Sequence, residues 1–170
     1  MRLVSIALAV VTIASIPSHL SADDVPKRSA ELQVLDRFIG NWDDAITVKT
    51  TGLKYNAIER RKWSPLGEFV LSEDQNLSTK KEAHFLITYD PSAKMYRACF
   101  IEEASAALLL GTWDIKSQAM KWTSPDGAAS KFSGTHRFID KDHAEWSMTV
   151  TGLDGTVFVE MSGKQTRRKQ

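Results

Sequence analysis

The chain has little of what ordinarily marks a function. It holds one cysteine, Cys99, so no internal disulfide can form and stability has to come from packing. Within "MYRACFI" this thiol alternates with its neighbours as in a strand, and it reads as a buried free thiol behaving as a small hydrophobe. An excess of one charge is also missing: 22 Lys and Arg stand against 21 Asp and Glu, which argues against a nucleic-acid or polyanion partner. Basic residues cluster only in "ERRK", Glu59 to Lys62, and in the terminal "KQTRRK", Lys164 to Lys169. His84, His136 and His143 are widely spaced, without an H-x-H, an H-E-x-x-H or a cysteine pair, so a zinc site has little support. The stretch "DKDHAEW", Asp140 to Trp146, lacks the central glycine of a calcium loop and reads as a charged turn. There is no G-x-S-x-G, no Cys with a His partner and no Gly-rich phosphate loop. Repeats, low-complexity segments and a second domain are absent too.

What is present begins with "MRLVSIALAVVTIASIPSHLSADD". One cation, Arg2, precedes an apolar stretch from Leu3 to Ile16, then Pro17 and small polar residues ending at Ala22. That order is the order of a secretory signal peptide, and the apolar stretch is short of the roughly 20 residues a membrane span needs. Residues 1–22 are therefore expected to be a leader, and the product an exported chain with no membrane attachment. Residues 23–28 read as a polar linker, and residues 29–168 as one domain, large enough for a single core.

At the start of that domain, Ser29 can cap a short helix with Glu31 in its first turn, and Leu32, Leu35 and Phe38 or Ile39 recur at helical spacing. Gly40 is a plausible terminator. Such a helix is too short to stand alone and must pack on something. From Trp42 onward the period becomes two. Ten strands are expected, from Trp42–Thr50 through Thr156–Gln165, joined by links rich in Gly, Pro, Asp, Asn and Ser. No link is long enough for a parallel crossover, so the strands should run up and down. Closing such a sheet removes its two edges. The expectation is an all-β, roughly ten-stranded antiparallel up-and-down barrel with the helix closing one end.

The alternation assigns faces in four strands. Trp42, Ile46 and Val48 share one side, as do Met120 with Trp122, Phe132 with Gly134, His136 and Phe138, and Ala144 with Trp146, Met148 and Val150. The opposite side, with Thr47, Lys49, Glu145, Ser147 and Thr149, suits water. "CFIEEASAALLLG" is apolar on both sides near Leu108 to Leu110 and fixes no face.

A helix followed by Gly40-x-Trp42 and a meander resembles the calycin superfamily, which includes lipocalins and fatty-acid-binding proteins. The resemblance implies a structural role for Trp42, closing the barrel end beneath a basic side chain from the last strand, Arg167 or Arg168. The order Gly40-x-Trp42, "YDPSAKMY" (Tyr89 to Tyr96), "GTWD" (Gly111 to Asp114) and Arg167 is also similar to a bacterial domain-of-unknown-function family of small, often exported calycin-like proteins. That family implies no activity. A further calycin-like type, the nitrobindins, binds haem through a histidine, a role His136 would take here.

The favoured reading is a secreted barrel binding a small apolar or amphipathic ligand among Trp122, Phe132, Phe138 and Trp146, with His136 as a polar handle. No metal and no resident cofactor is expected, haem being the exception just described. One alternative is an enzyme using His136, or Glu160 of "VFVEM", as an interior acid or base. Another is a barrel whose rings simply fill the core while its surface meets a protein partner.

Overall fold

The structure is a computed structural model describing residues 27–103 and 105–169. The expected leader, residues 1–22, and most of the expected linker, residues 23–28, lie outside the described residues. A helix, α1 (Ala30–Val34), runs into a 3₁₀ turn, Leu35–Arg37, and ten strands follow. They are β1 (Gly40–Val48), β2 (Leu53–Trp63), β3 (Phe69–Asn76), β4 (Glu82–Asp90), β5 (Met95–Glu102), β6 (Ser105–Asp114), β7 (Ala119–Thr123), β8 (Lys131–Phe138), β9 (His143–Thr151) and β10 (Val157–Arg167). Every neighbouring pair is antiparallel, and β10 returns to β1, so the sheet is a closed barrel. The all-β, up-and-down architecture is the one the alternation and turn spacing imply.

The helix forms where the sequence places it. Ser29 Oγ accepts the backbone N–H of Leu32 at 3.3 Å, and Leu35 and Phe38 turn into the barrel end, fully buried. Gly40, at φ +123°, swings the chain from the 3₁₀ turn directly into a strand, a conformation that favours glycine. This is why β1 starts at Gly40 and not at Trp42. At the other end β10 runs past Gln165 to Arg167, because Arg167 pairs across the seam with Trp42.

That pairing builds the closed end. Trp42 is fully buried, and its indole Nε1 donates to the Phe38 carbonyl at 2.9 Å. The Arg167 guanidinium lies 4.1 Å above the indole and donates to the carbonyls of Arg37 at 3.1 Å, Lys141 at 2.8 Å and Ile39. Of the two candidate cations it is Arg167 that covers Trp42; Arg168 turns outward to Asp43 at 2.7 Å. From β5, the Tyr96 hydroxyl donates to the Glu31 carbonyl at 2.9 Å and ties the helix across the barrel.

The turn motifs are architecture. Asp90 accepts the N–H groups of Ser92 at 2.9 Å and Ala93 at 3.1 Å and pairs with Arg97 at 2.7 Å. Asp114 repeats the device with Lys116, Ser117 and Lys121, and these contacts hold its carboxyl down at about 2. Side chains of this type close their own turns. Where the sequence left the face open, in β6, Leu109 is buried and Leu108 is exposed.

Candidate functional site

Alternation around ten strands aims one set of side chains at the axis, and those nearest the helix pack into a floor. Phe38, Trp42, Trp113 and Phe138 meet there, with Phe138 4.9 Å from Phe38, 6.5 Å from Trp42 and 6.3 Å from Trp113, centroid to centroid. Above this floor lies a cavity of about 460 Å³, open at the end away from the helix. That is the size range of small-molecule sites.

One wall is apolar. Phe85, Phe100, Leu109, Trp122, Phe132 and Met148 line it, with Phe85 and Trp122 edge to face at 6.0 Å. Glycines make the room. Trp122 sits opposite Gly111 on one side and Gly134 on the other, and Trp146 sits opposite Gly163. A Cβ on Gly111 or Gly163 would come within 3.0 Å of the facing indole. The rings therefore lie against bare backbone and leave the axis free.

The other wall is polar, and the sequence reading missed it. Asp44 of β1, Glu59 and Arg61 of β2, Asp74 of β3 and Gln165 of β10 all point inward. Gln165 Nε2 donates to Asp44 Oδ2 at 3.0 Å and to Glu59 at 2.8 and 2.9 Å, and Trp146 Nε1 donates to Asp44 Oδ2 at 2.5 Å. Arg61 pairs with Glu59 and lies 5.6 Å from the Phe38 ring, and the Ser72 hydroxyl donates to Asp74. Several buried atoms find no partner among the described residues: Asp44 Oδ1, Arg61 Nε and Nη1, Gln165 Oε1 and His136 Nε2.

Three groups respond to this burial. Desolvation lifts the Glu59 carboxyl well above its ordinary value; Arg61 opposes the shift, while Asp74 and Asp44 add to it. Asp74 moves up for the same leading reason, against Arg61 and the Ser72 hydrogen bond. His136 is pushed well below the ordinary imidazole value by desolvation and by Arg61, so it is neutral at pH 7.

Of the residues expected at the site, Trp122, Phe132, His136 and Trp146 line the cavity. Phe138 does not. It belongs to the floor, one alternation step below His136 and nearer the closed end, where Phe38 and Trp42 cover it. Glu160 faces outward and pairs with Lys49 at 2.8 Å, which removes it as an interior acid or base. No group of three or more His, Cys, Asp or Glu placed to hold a metal occurs among the described residues.

The barrel has relatives in shape. A protein of M. tuberculosis, Rv2717c, superimposes with a TM-score of 0.57 at 10% identity, over 83% of this chain and 99% of that one. The likeness is one of fold. An S-type phycobiliprotein lyase from Guillardia theta matches at TM-score 0.58 and 9% identity, over 85% of this chain and 95% of the lyase. A protein of unknown function from the DUF3598 family of Nostoc punctiforme matches at TM-score 0.53 and 12% identity, over 79% of this chain and 49% of that protein. These likenesses show the fold alone. No family model matches the chain, and no curated protein matches it.

Proposed function

We propose that the chain binds a small amphipathic molecule inside the barrel. The observation that carries this reading is the cavity itself: about 460 Å³, one aromatic wall resting on glycines, and a facing wall with buried polar atoms that lack partners. A core designed only to fill space has no reason to place tryptophans over glycines, since close packing would use the volume. Buried polar groups, in turn, normally find partners. A ligand with an apolar body and a polar head would satisfy both walls. The phycobiliprotein lyase among the fold neighbours is consistent with a ligand-binding barrel.

We further propose that the chain is exported, on the leader-like residues 1–22, and that it belongs with the small exported calycin-like proteins its motif order resembles. An N-terminus beginning near Asp23 on protein recovered from outside the cytoplasm would support export; protein retained in the cytoplasm with an intact Met1 would refute it.

Native mass spectrometry of the purified protein tests the ligand reading. A mass increment that disappears on denaturation supports it, while an empty barrel that also fails to quench or enhance Trp122 and Trp146 fluorescence with any amphiphile refutes it. An absorption scan of the same sample tests the haem reading, which rests on His136 Nε2 being buried without a partner. His136 would be the residue that holds the iron, and the group would supply redox and gas-binding chemistry when bound. A Soret band supports haem; its absence after incubation with haemin removes it.

A further inference from the structure

The proposed ligand has an apolar body, and the charge on the polar wall says what its head should be. Three carboxylates converge there, Asp44, Glu59 and Asp74, and a single guanidinium, Arg61, answers them. Arg61 is already committed to Glu59. Burial lifts the Glu59 and Asp74 carboxyls, so the wall holds its excess of acid as protons that a second cation would replace. The mouth carries the same excess of acid: Glu82 and Glu102 line it with Lys81, and the Lys81 ammonium is drawn to Glu103 at 2.7 Å.

The unpartnered atoms agree. Gln165 spends its amide N–H groups on the carboxylates and leaves Oε1 as a buried acceptor without a donor. Neutral His136 offers a second acceptor at Nε2 when its proton sits on Nδ1. Arg61 Nε and Nη1 are free donors and would suit an anionic head, but Asp74 and Asp44 stand close enough to shift Glu59 and would repel it. An alkylammonium brings three N–H donors, which suit acceptors such as Gln165 Oε1, Asp74 and Glu59.

We propose that this barrel selects protonated amines: the ammonium seats against Asp74 and Glu59, and an apolar chain lies along the Trp122 wall. The proposal rests on the ligand-binding reading above. It also couples binding to pH. The groups facing the carboxylates are Asp44 from β1, Tyr55 and Arg61 from β2, Glu102 from β5, His136 from β8 and Gln165 from β10, while exposed His84 acts on Asp74 from the outer side of β4. Buried His136 stays neutral and Tyr55, its phenol pushed up by burial, stays protonated. A bound ammonium therefore displaces protons from Glu59 and Asp74, and affinity rises with pH until the amine itself deprotonates.

The test uses three probes of one chain length, decylamine, decanol and decanoate, titrated into the full protein and followed by tryptophan fluorescence. Decylamine should bind about tenfold or more tighter than decanol, and decanoate weakest, a ranking set by charge-assisted contacts. The decylamine preference should grow from about pH 5.5 to about pH 8, a window in which an alkylamine keeps its proton. Asp74→Asn and Glu59→Gln should each lower decylamine affinity by a larger factor than decanol affinity, with near-ultraviolet circular dichroism reporting that each variant is folded; an equal loss for both ligands overturns the charge assignment. Decanol or decanoate binding as tightly as decylamine overturns the amine assignment and leaves the ligand-binding reading standing. Failure of all three to bind removes both.

Discussion

Trp42 and Arg167 carry the closed end through contacts that no neighbouring residue duplicates. Trp42 is fully buried among Phe38, Phe138 and the guanidinium, so Trp42→Ala should cost about 3 to 5 kcal/mol, as for other large core aromatics. Arg167→Leu keeps a cover over the indole but loses the cation and its carbonyl contacts, and should cost about 0.5 to 2 kcal/mol for the cation–ring interaction alone. Urea midpoints of the two variants check both values; an unshifted Trp42→Ala midpoint would mean the indole does not plug the barrel. The interior titrating groups add a pH signature of two opposite signs. His136 has its folded pKa below the ordinary 6.5, so the unfolded chain takes up a proton first and stability falls as pH drops below that value. Glu59 has its folded pKa above the ordinary 4.5, so the native state holds a proton that the unfolded chain has released, and stability falls as pH rises above that value. His136→Leu should flatten the first slope and Glu59→Gln the second, in urea midpoints measured across this range.

At the scale of elements, the strands were legible because turn residues and two-residue alternation agree, and Trp42, Trp122, Phe132, His136 and Trp146 were read onto the inward face from that alternation alone. The polar wall was not. Asp44 interrupts the run Trp42, Ile46, Val48, and an acid inside a strand reads as a surface residue. Arg61 is hidden in "ERRK", where Arg60 and Lys62 on either side point outward and the run looks like a solvated face. Asp74 sits in "SEDQN", polar throughout. Asp44 is inward because its partners, Gln165 and Trp146, come from other strands and are fixed by register across the sheet; Arg61 and Asp74 pair two residues back on their own strands, with Glu59 and Ser72, a spacing that reads the same on a solvated face. Phe138 was misplaced for a related reason: alternation gives the face but not the height along the axis, and height separates floor from cavity. The glycine–tryptophan pairs depend on register in the same way. Gly163→Ala should drive Trp146 off the wall, break its bond to Asp44 and shrink the cavity. We expect a loss on the scale of overpacked cores, about 1 to 3 kcal/mol, together with a red-shifted, more quenched tryptophan emission. Unchanged emission would mean that the indole does not rest on the glycine.

For the whole molecule, closure makes one strand pairing unlike the others only in sequence distance. Nine pairings join consecutive strands, and the tenth, β1 with β10, joins residues such as Asp44 and Gln165 across 121 positions. That seam holds the Trp42–Arg167 plug and the Asp44–Gln165 contact, so it is built like any other part of the wall. A ring has no privileged place to be cut. Joining residue 169 to residue 27 with about twelve Gly and Ser residues gives a flexible connection of roughly 20 Å, enough to cross the closed end. The chain can then be opened between Gly127 and Ala128, in the exposed β7–β8 turn, a site of the kind that tolerates new termini. The permutant makes β1–β10 local and β7–β8 distant, so the balance of local and non-local pairing is nearly unchanged and its folding rate should stay within about tenfold of the parent. It should also keep the parent's near-ultraviolet circular dichroism, because Trp122 and Trp146 remain on the wall. A permutant that aggregates or loses that signal, while the linked but uncut protein folds normally, would show that the β7–β8 pairing cannot serve as the seam and that the ring is not equivalent around its circumference.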